Sequence, residues 1–460
     1  MREATLESNH FFKRMLVLAI PIAIQTLLTS SLNMVDSIMV GQLGVDSIAA
    51  VGVGNKITTI LILVLQGFGT GAAIFVSQYW GKKDLQGIRK ILLLTLNIVT
   101  VFSILFTALI LIFTNTIISI FTNDSGVIQI SAGYLRIVSL SYLVTAFTIV
   151  FSTVLRSMGE VKLPLYISIL AIGMNTGLNY LWIFGKFGFA EMGVDGAALA
   201  TLIARIVQAV LLFLLVSKSL SLSIRKLRIN EMLDVSLVRR YFSITIPSII
   251  NHAAWTLGET SYFWVYAQMG TNELAAVTLV DPLLFLFMAL FIGLSDASQV
   301  MIGNSIGAHK TDLAFADAKR FLALTAGLSV VAGIFIVLVT PYFLSIYNIN
   351  DEVEWFAKSV LIVYAFLVIG KMLNMVNNIG VLRAGGDTKF VLYIDMIGVW
   401  AIGLPLAIMG AFNLHLPIFV VYGLANSHEY IRAFLGIKRT LSHKWIRNVT
   451  IDIDKKESVS

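Results

Sequence analysis

Asp36 is the residue in this chain best placed to do chemistry. It lies in the apolar run 21–44, where Gln25, Thr29, Asn33 and Asp36 are spaced four, four and three apart. On a helix they form one polar stripe. Lipid cannot face such a stripe; a bundle interior or a wet cavity can. A carboxylate there can take up and release a proton, or ligate sodium with neighbouring oxygens. Counted from Arg14 at about 1.5 Å per residue, Asp36 lies roughly 33 Å along its helix, in the outer half of a membrane or near its rim. Pro21 gives the same helix a point at which to bend.

Other polar residues in apolar surroundings are candidates too. Asn175 and Asn179, four apart beside Thr176, could hold a protonated Asp36 or complete a sodium shell; the plainer reading is an interhelical hydrogen-bond pair. His252, Thr256, Glu259 and Tyr262 repeat the helical stripe later in the chain. Glu259 is a second candidate cation site, and His252 reads more readily as a neutral, hydrogen-bonded histidine. Asp281, Asp296 and Asp395 also fall in apolar runs. Each is a structural ion-pair partner or a cation or substrate contact, with Lys371, Arg205 and Lys56 as the available bases.

The elements that must position these groups are membrane-spanning helices. The hydrophobic fraction is 57%, the charged fraction only 13%, and the mean hydropathy +0.86 over 460 residues, against about 25% charge in a soluble domain. Twelve apolar runs lie near 14–40, 47–78, 90–116, 129–155, 163–184, 194–217, 239–268, 274–306, 319–346, 355–382, 390–411 and 415–437. They are too long for barrel strands, so the fold class is an all-α polytopic membrane protein. With the N-terminus inside, 27 of the 33 lysines and arginines fall in inside segments and only Lys186 and Lys358 outside. That bias places both termini in the cytoplasm. It also accounts for the net charge of +7 without invoking nucleic acid.

The two halves match. At an offset of 226, Pro21 meets Pro247, Gln25 meets Asn251, Asn33 meets Glu259, Asp36 meets Tyr262, Gly67 meets Gly293, Gln78 meets Asn304 and Gly81 meets Gly307. At 227, residues 154–162 meet 381–389. Six spans per copy make the copies parallel, as in transporters whose two bundles rock about a cleft. The expected organisation is an N-lobe at 1–217, a cytoplasmic linker at 218–240, a C-lobe at 241–443 and a polar, disordered or surface-lying tail at 444–460. There is no cysteine, hence no disulfide framework or thiolate site. Walker, zincin and nucleophile-elbow motifs are missing too, which disfavours an enzyme.

The pattern Pro21-x3-Gln25-x10-Asp36-x2-Met39-x-Gly41-x2-Gly44 resembles the first-span signature of multidrug and toxic compound extrusion (MATE) transporters. So do Tyr134-Leu135-Arg136, the paired segments 155–159 and 382–386, Asn175-x3-Asn179-Tyr180, and 193–201. The resemblance implies two six-helix lobes and export of cationic or amphipathic drugs against inward proton or sodium flow. It implies Asp36 as the N-lobe acid and Asn175 and Asn179 as the span-five pair, although many members carry Asp where Asn179 stands. Glu259 resembles the span-seven glutamate of members that use the C-lobe. Their span-ten aspartate is missing here: that span offers Lys371, Asn374, Asn377 and Asn378, and Lys371 would repel a metal ion. The expectation is therefore a monomeric inner-membrane antiporter, proton-coupled through Asp36 with Pro21 as hinge and sodium at Asp36 or Glu259 as the alternative. It would act on small-molecule drugs without a cofactor. The runner-up is a lipid-linked oligosaccharide flippase, which would favour a strongly cationic cavity; a membrane-embedded enzyme or receptor is a distant third.

Overall fold

A computed structural model describes residues 2–220 and 235–451, with side chains from His10 onward. Arg225, Lys226 and Arg228 of the expected linker, and Lys455 and Lys456 of the tail, lie outside the described residues. Among those residues the chain is helical and no strand occurs, as hydrocarbon requires of backbone that must satisfy its own polar groups. The helices follow the twelve apolar runs: α1 Arg2–Gly41, α2 Val45–Gly81, α3 Leu85–Ile112, α4 Ser125–Leu140 continued by Tyr142–Ser157, α5 Lys162–Ile183 and α6 Gly193–Ser219. The second half holds α7 Val235–Met269, α8 Thr271–Gly307, α9 Thr311–Leu344, α10 Asp351–Leu382, α11 Thr388–Asn413 and α12, built from Ile418–Asn426 and His428–Leu441. Lys218, Arg239 and Arg240, expected in the linker, belong to helices α6 and α7.

Eight of these helices are long and apolar enough to cross a membrane by themselves, and α4, bent by 46° at Ser141, makes a ninth. The others carry further polar groups of interest: Asn175 and Asn179 on α5, His252 and Glu259 on α7, and Glu429 and Arg432 on α12. Helix starts are set by side-chain caps. Asp84 accepts from the Gly87 amide (2.8 Å), Asp124 from Gly126 (2.8 Å) and Val127 (3.1 Å), and Asn350 from Val353 (2.8 Å), supplying acceptors for amides the first turn leaves over.

The internal repeat is visible atom by atom. After α4 and after α10, a glycine in the left-handed region closes the helix: Gly159 at φ 90° and Gly386 at φ 75°. In each case a six-residue backbone bond completes the turn, Glu160 to Leu155 (2.9 Å) and Asp387 to Leu382 (3.1 Å), the Schellman pattern. The matched loops of the sequence are thus the same device used twice.

Packing divides the chain into two compact units, residues 1–23, 77–83 and 246–460 in one, and 24–76 and 84–245 in the other. The division cuts α1 and α7 beside their prolines, Pro21 and Pro247, both inside continuous helix. In the first unit Gly293 of α8 lies against the backbone of Ala19; in the second Gly71 of α2 lies against Thr245. The first unit also contains the crossing of α2 and α8. There a Cβ on Gly81 would overlap the Asn304 carbonyl, and a Cβ on Gly307 would overlap the Gln78 carbonyl. These are the pairs matched at offset 226, so the two copies of one helix touch through the same residues reciprocally.

The segment after α12 is ordered where the sequence suggested a loose tail. Trp445 is fully buried and donates to the Thr440 carbonyl (2.8 Å). Gln78 donates to the carbonyls of Ala384 (2.8 Å) and Arg447 (3.0 Å) and accepts from the Val449 amide (2.8 Å). One large apolar anchor and one buried amide tie down a stretch whose composition is otherwise polar and which the sequence reads as disordered or surface-lying.

Gly81→Ala and Gly307→Ala should each force α2 and α8 apart. The expected loss is about 1–3 kcal/mol, the usual cost of overpacking a tight contact, read as a lower thermal midpoint of the purified protein.

Candidate functional site

The unit of residues 24–76 and 84–245 encloses a cavity of about 300 Å³ lined from α1, α2, α4, α5 and α6. Asp36, Asn33 and Thr29 reach it from α1, Asn55 and Thr58 from α2, and Asn175 from α5. Three of the four residues of the stripe predicted on α1, Thr29, Asn33 and Asp36, therefore line a cavity among the helices. Pro21 is buried, fifteen residues before Asp36.

Asp36 is half-buried, and its Oδ1 accepts a hydrogen bond from Asn179 Nδ2 (2.6 Å). Asn179 lies close behind Asn175 (Nδ2 to Oδ1, 3.4 Å), and Asn175 donates to Thr201 Oγ1 (3.3 Å). The span-five pair and the α1 acid are thus brought together. Asn179 is buried, and its Oδ1 has no hydrogen-bond partner among the described residues. An amide can turn over, donating to a carboxylate and accepting from a carboxylic acid, so this residue suits both charge states of Asp36.

Arg205 of α6 is a second charge in the same cavity. The sequence suggested it as a base for the C-half acids; the structure instead sets its guanidinium in the field of Asp36. Its Nη1 donates to Gln208 Oε1 (2.9 Å), Gln208 donates to Ser168 Oγ (3.2 Å), and Gln25 donates to the same Ser168 oxygen (2.8 Å). Gln25 joins the site through this chain, without touching Asp36. Asp36 and Arg205 are the only charged residues among those lining the cavity.

The other unit is wired differently. Asn251, the match of Gln25, donates to Asp395 Oδ2 (2.7 Å) and accepts from Arg383 Nη2 (2.7 Å). Arg432 donates Nε (3.0 Å) and Nη2 (2.6 Å) to Asp395 Oδ1, and Nη1 to Glu429 Oε2 (3.1 Å). Asn374 donates to Glu429 Oε2 (2.7 Å). Arg383, Glu429, Arg432 and Asp395 are only 2, 4, 6 and 8% exposed. Arg383 and Arg432 count as cytoplasmic charges by sequence position; the structure buries both in an ion network. Asp395 pairs with Arg432, outside the bases expected for it.

The C-half candidates divide. Tyr262 is buried and donates its hydroxyl to the Val399 carbonyl (3.2 Å). His252 and Asp296 lie in the field of Arg383. Glu259 and Asp281 are exposed side chains in the field of Lys371, which also faces Glu429. Among the described residues no three His, Cys, Asp or Glu side chains cluster as a metal site would need. Sequence reasoning missed Glu429 and Arg432; their opposite charges three residues apart on one helix were the available signal.

Arg432→Met would leave Asp395 and Glu429 buried without their cation. We expect a loss of about 3–5 kcal/mol, measured as thermal or denaturant unfolding of the purified protein, while the conservative Arg432→Lys should lose less.

A sequence model of the MatE family matches residues 21–181 and again 247–409, two copies separated by the offset found between the halves. The chain is 25% identical to "Probable multidrug resistance protein NorM" of Thermotoga maritima, over 95% of this chain and 94% of that protein. It is 26% identical to "Multidrug resistance protein MdtK" of Pectobacterium atrosepticum, over 85% and 86%. Among solved structures, "Crystal structure of MATE in complex with MaL6" superposes with a TM-score of 0.83 at 18% identity, covering 94% of this chain and 97% of that one. A MOP superfamily transporter from Pyrococcus furiosus gives 0.82, also at 18% identity. The chain belongs to the MatE family of membrane transporters.

Proposed function

We propose that the protein is a secondary multidrug efflux antiporter of the cytoplasmic membrane, with both termini inside and two lobes, 1–217 and 241–443, acting by alternating access. It exports amphipathic compounds in exchange for protons. The observation that carries the reading is Asp36: a carboxylate in a cavity within the helices, hydrogen-bonded by Asn179 and facing Arg205. The relatives named for multidrug resistance support the substrate class.

The proton is favoured over sodium by what surrounds the acid. Sodium needs several oxygen ligands and would sit beside the Arg205 guanidinium, whose charge repels it. A proton needs one oxygen, and the Asn179 amide can serve the acid in either form. In the proposed cycle a proton arriving from outside neutralises Asp36 and weakens its attraction to Arg205. The released end of α1 then bends at Pro21, the cavity shrinks and substrate leaves. Loss of the proton to the cytoplasm resets the site. The flippase alternative has less support, since the cavity lining holds one cation matched by one acid.

In vesicles loaded with drug, Asp36→Asn should abolish drug-dependent proton movement while the protein inserts and folds. Full coupled transport by that variant, under separately imposed proton and sodium gradients, would defeat the proposal.

A further inference from the structure

We propose that the cavity holding Asp36 is a two-point site for compounds bearing both a carboxylate and an ammonium group. Arg205 binds the carboxylate and Asp36 the ammonium. This rests on Asp36 being the exchange site and narrows the substrate class of that site.

The internal repeat shows what an arginine at this position does. At the offset of 227 that matches the two glycine turns, Arg205 corresponds to Arg432, Ser168 to Asp395, Gly196 to Gly423 and Leu202 to Glu429. The contacts correspond as well: Gln25 donates to Ser168 (2.8 Å) where Asn251 donates to Asp395 (2.7 Å). In the C-half the guanidinium is closed by two carboxylates, with Nε, Nη1 and Nη2 all donating to them. In the other half the positions of both acids are taken by a serine and a leucine. Arg205 keeps the guanidinium but lacks both acids that close Arg432, and the acid in its field is Asp36 of α1. Of its five N–H donors, one makes a hydrogen bond with a described residue, to Gln208, and the side chain opens on a cavity. A carboxylate delivered by a ligand would take the role that Asp395 and Glu429 fill in the other copy, and a planar guanidinium can hold both oxygens of a carboxylate at once.

Charge balance then selects the ligand. With Asp36 ionised the cavity's two charges cancel. A simple organic cation gains Asp36 but meets Arg205; a simple anion gains Arg205 but meets Asp36. A compound with both groups satisfies both residues and leaves no buried charge unanswered. Its ammonium also competes with the proton for Asp36, which is the competition that exchange requires. At about 300 Å³ the cavity is at the small end of ligand pockets, and Leu32, Ile62, Val138 and Ile172 give it apolar wall for the rest of an amphipath.

The test uses the full-length protein in detergent at neutral pH and three fluorescent probes with one skeleton: Nε-dansyl-lysine, with both charges; its methyl ester, with only the ammonium; and its Nα-acetyl derivative, with only the carboxylate. Nε-dansyl-lysine should bind about tenfold more tightly than either, the scale of one charge-assisted contact. Arg205→Gln should reduce it to the level of the ester. Arg205→Lys, which keeps the charge but loses the fork, should show an intermediate preference and carries the same comparison if the glutamine variant does not fold. Equal binding of ester and parent probe, no binding of the parent probe, or an undiminished preference in the Arg205 variants would each overturn the proposal. Asp36→Asn separates the two levels. If it weakens the ester while the carboxylate adds nothing, only the role of Arg205 falls; if it leaves all three probes unchanged, the Asp36 reading falls with it.

Discussion

The attraction between Asp36 and Arg205 across a small cavity is the constraint around which the rest of this structure makes sense. Two opposite charges removed from bulk water attract strongly, but each also loses hydration that the partner only partly replaces. The chain supports the acid with Asn179 and the base with Gln208 and leaves the cavity between them open. In the matched place of the other half, Asp395, Glu429, Arg432, Arg383 and Asn251 join into a continuous buried network. The arginine of one copy is closed by two carboxylates, which suits a fixed structural element, and the arginine of the other opens on a cavity, which suits binding and release.

Helices α1 and α7 carry the consequences. Each is divided between the two packing units beside its proline. Pro21 lacks an amide to donate and crowds the preceding turn, so the hydrogen-bond ladder is weakest there. The first half of α1 is packed against α8 through Gly293, and its second half bears Asp36. Under the proposed cycle a change of charge at Asp36 acts on the half of the helix beyond the weak point. The tight contacts of α2 with α8, and the hydrogen bonds of Gln78 to residues 447 and 449, lie within the other unit.

Much of this was legible in the sequence. Helical spacing gave the stripe of Gln25, Thr29, Asn33 and Asp36 its common face, because a 3.6-residue period leaves few alternatives in an apolar run. The repeat was legible because its signature residues, Gly81 with Gly307 and the paired loops, are positions where sterics or positive φ admit almost nothing else. Arg205 as partner of Asp36 was not legible: the two are far apart in the chain, and nothing local marks which acid a lone arginine faces. The burial of Arg383 and Arg432 was not legible, because a charge near the end of an apolar run reads the same whether or not neighbouring helices cover it. The strap around Trp445 was missed because its order comes from Gln78, a partner on another helix, and leaves no periodicity.

The central claim is that substrate and proton compete for one carboxylate. The most direct measurement is the number of protons released when substrate binds the purified protein, obtained across a range of pH by calorimetry in buffers of different ionisation enthalpy. The account predicts a release that rises towards one proton per substrate as the pH is lowered into the range where Asp36 is protonated, and none in Asp36→Asn that still binds. Equal release from both proteins would contradict it.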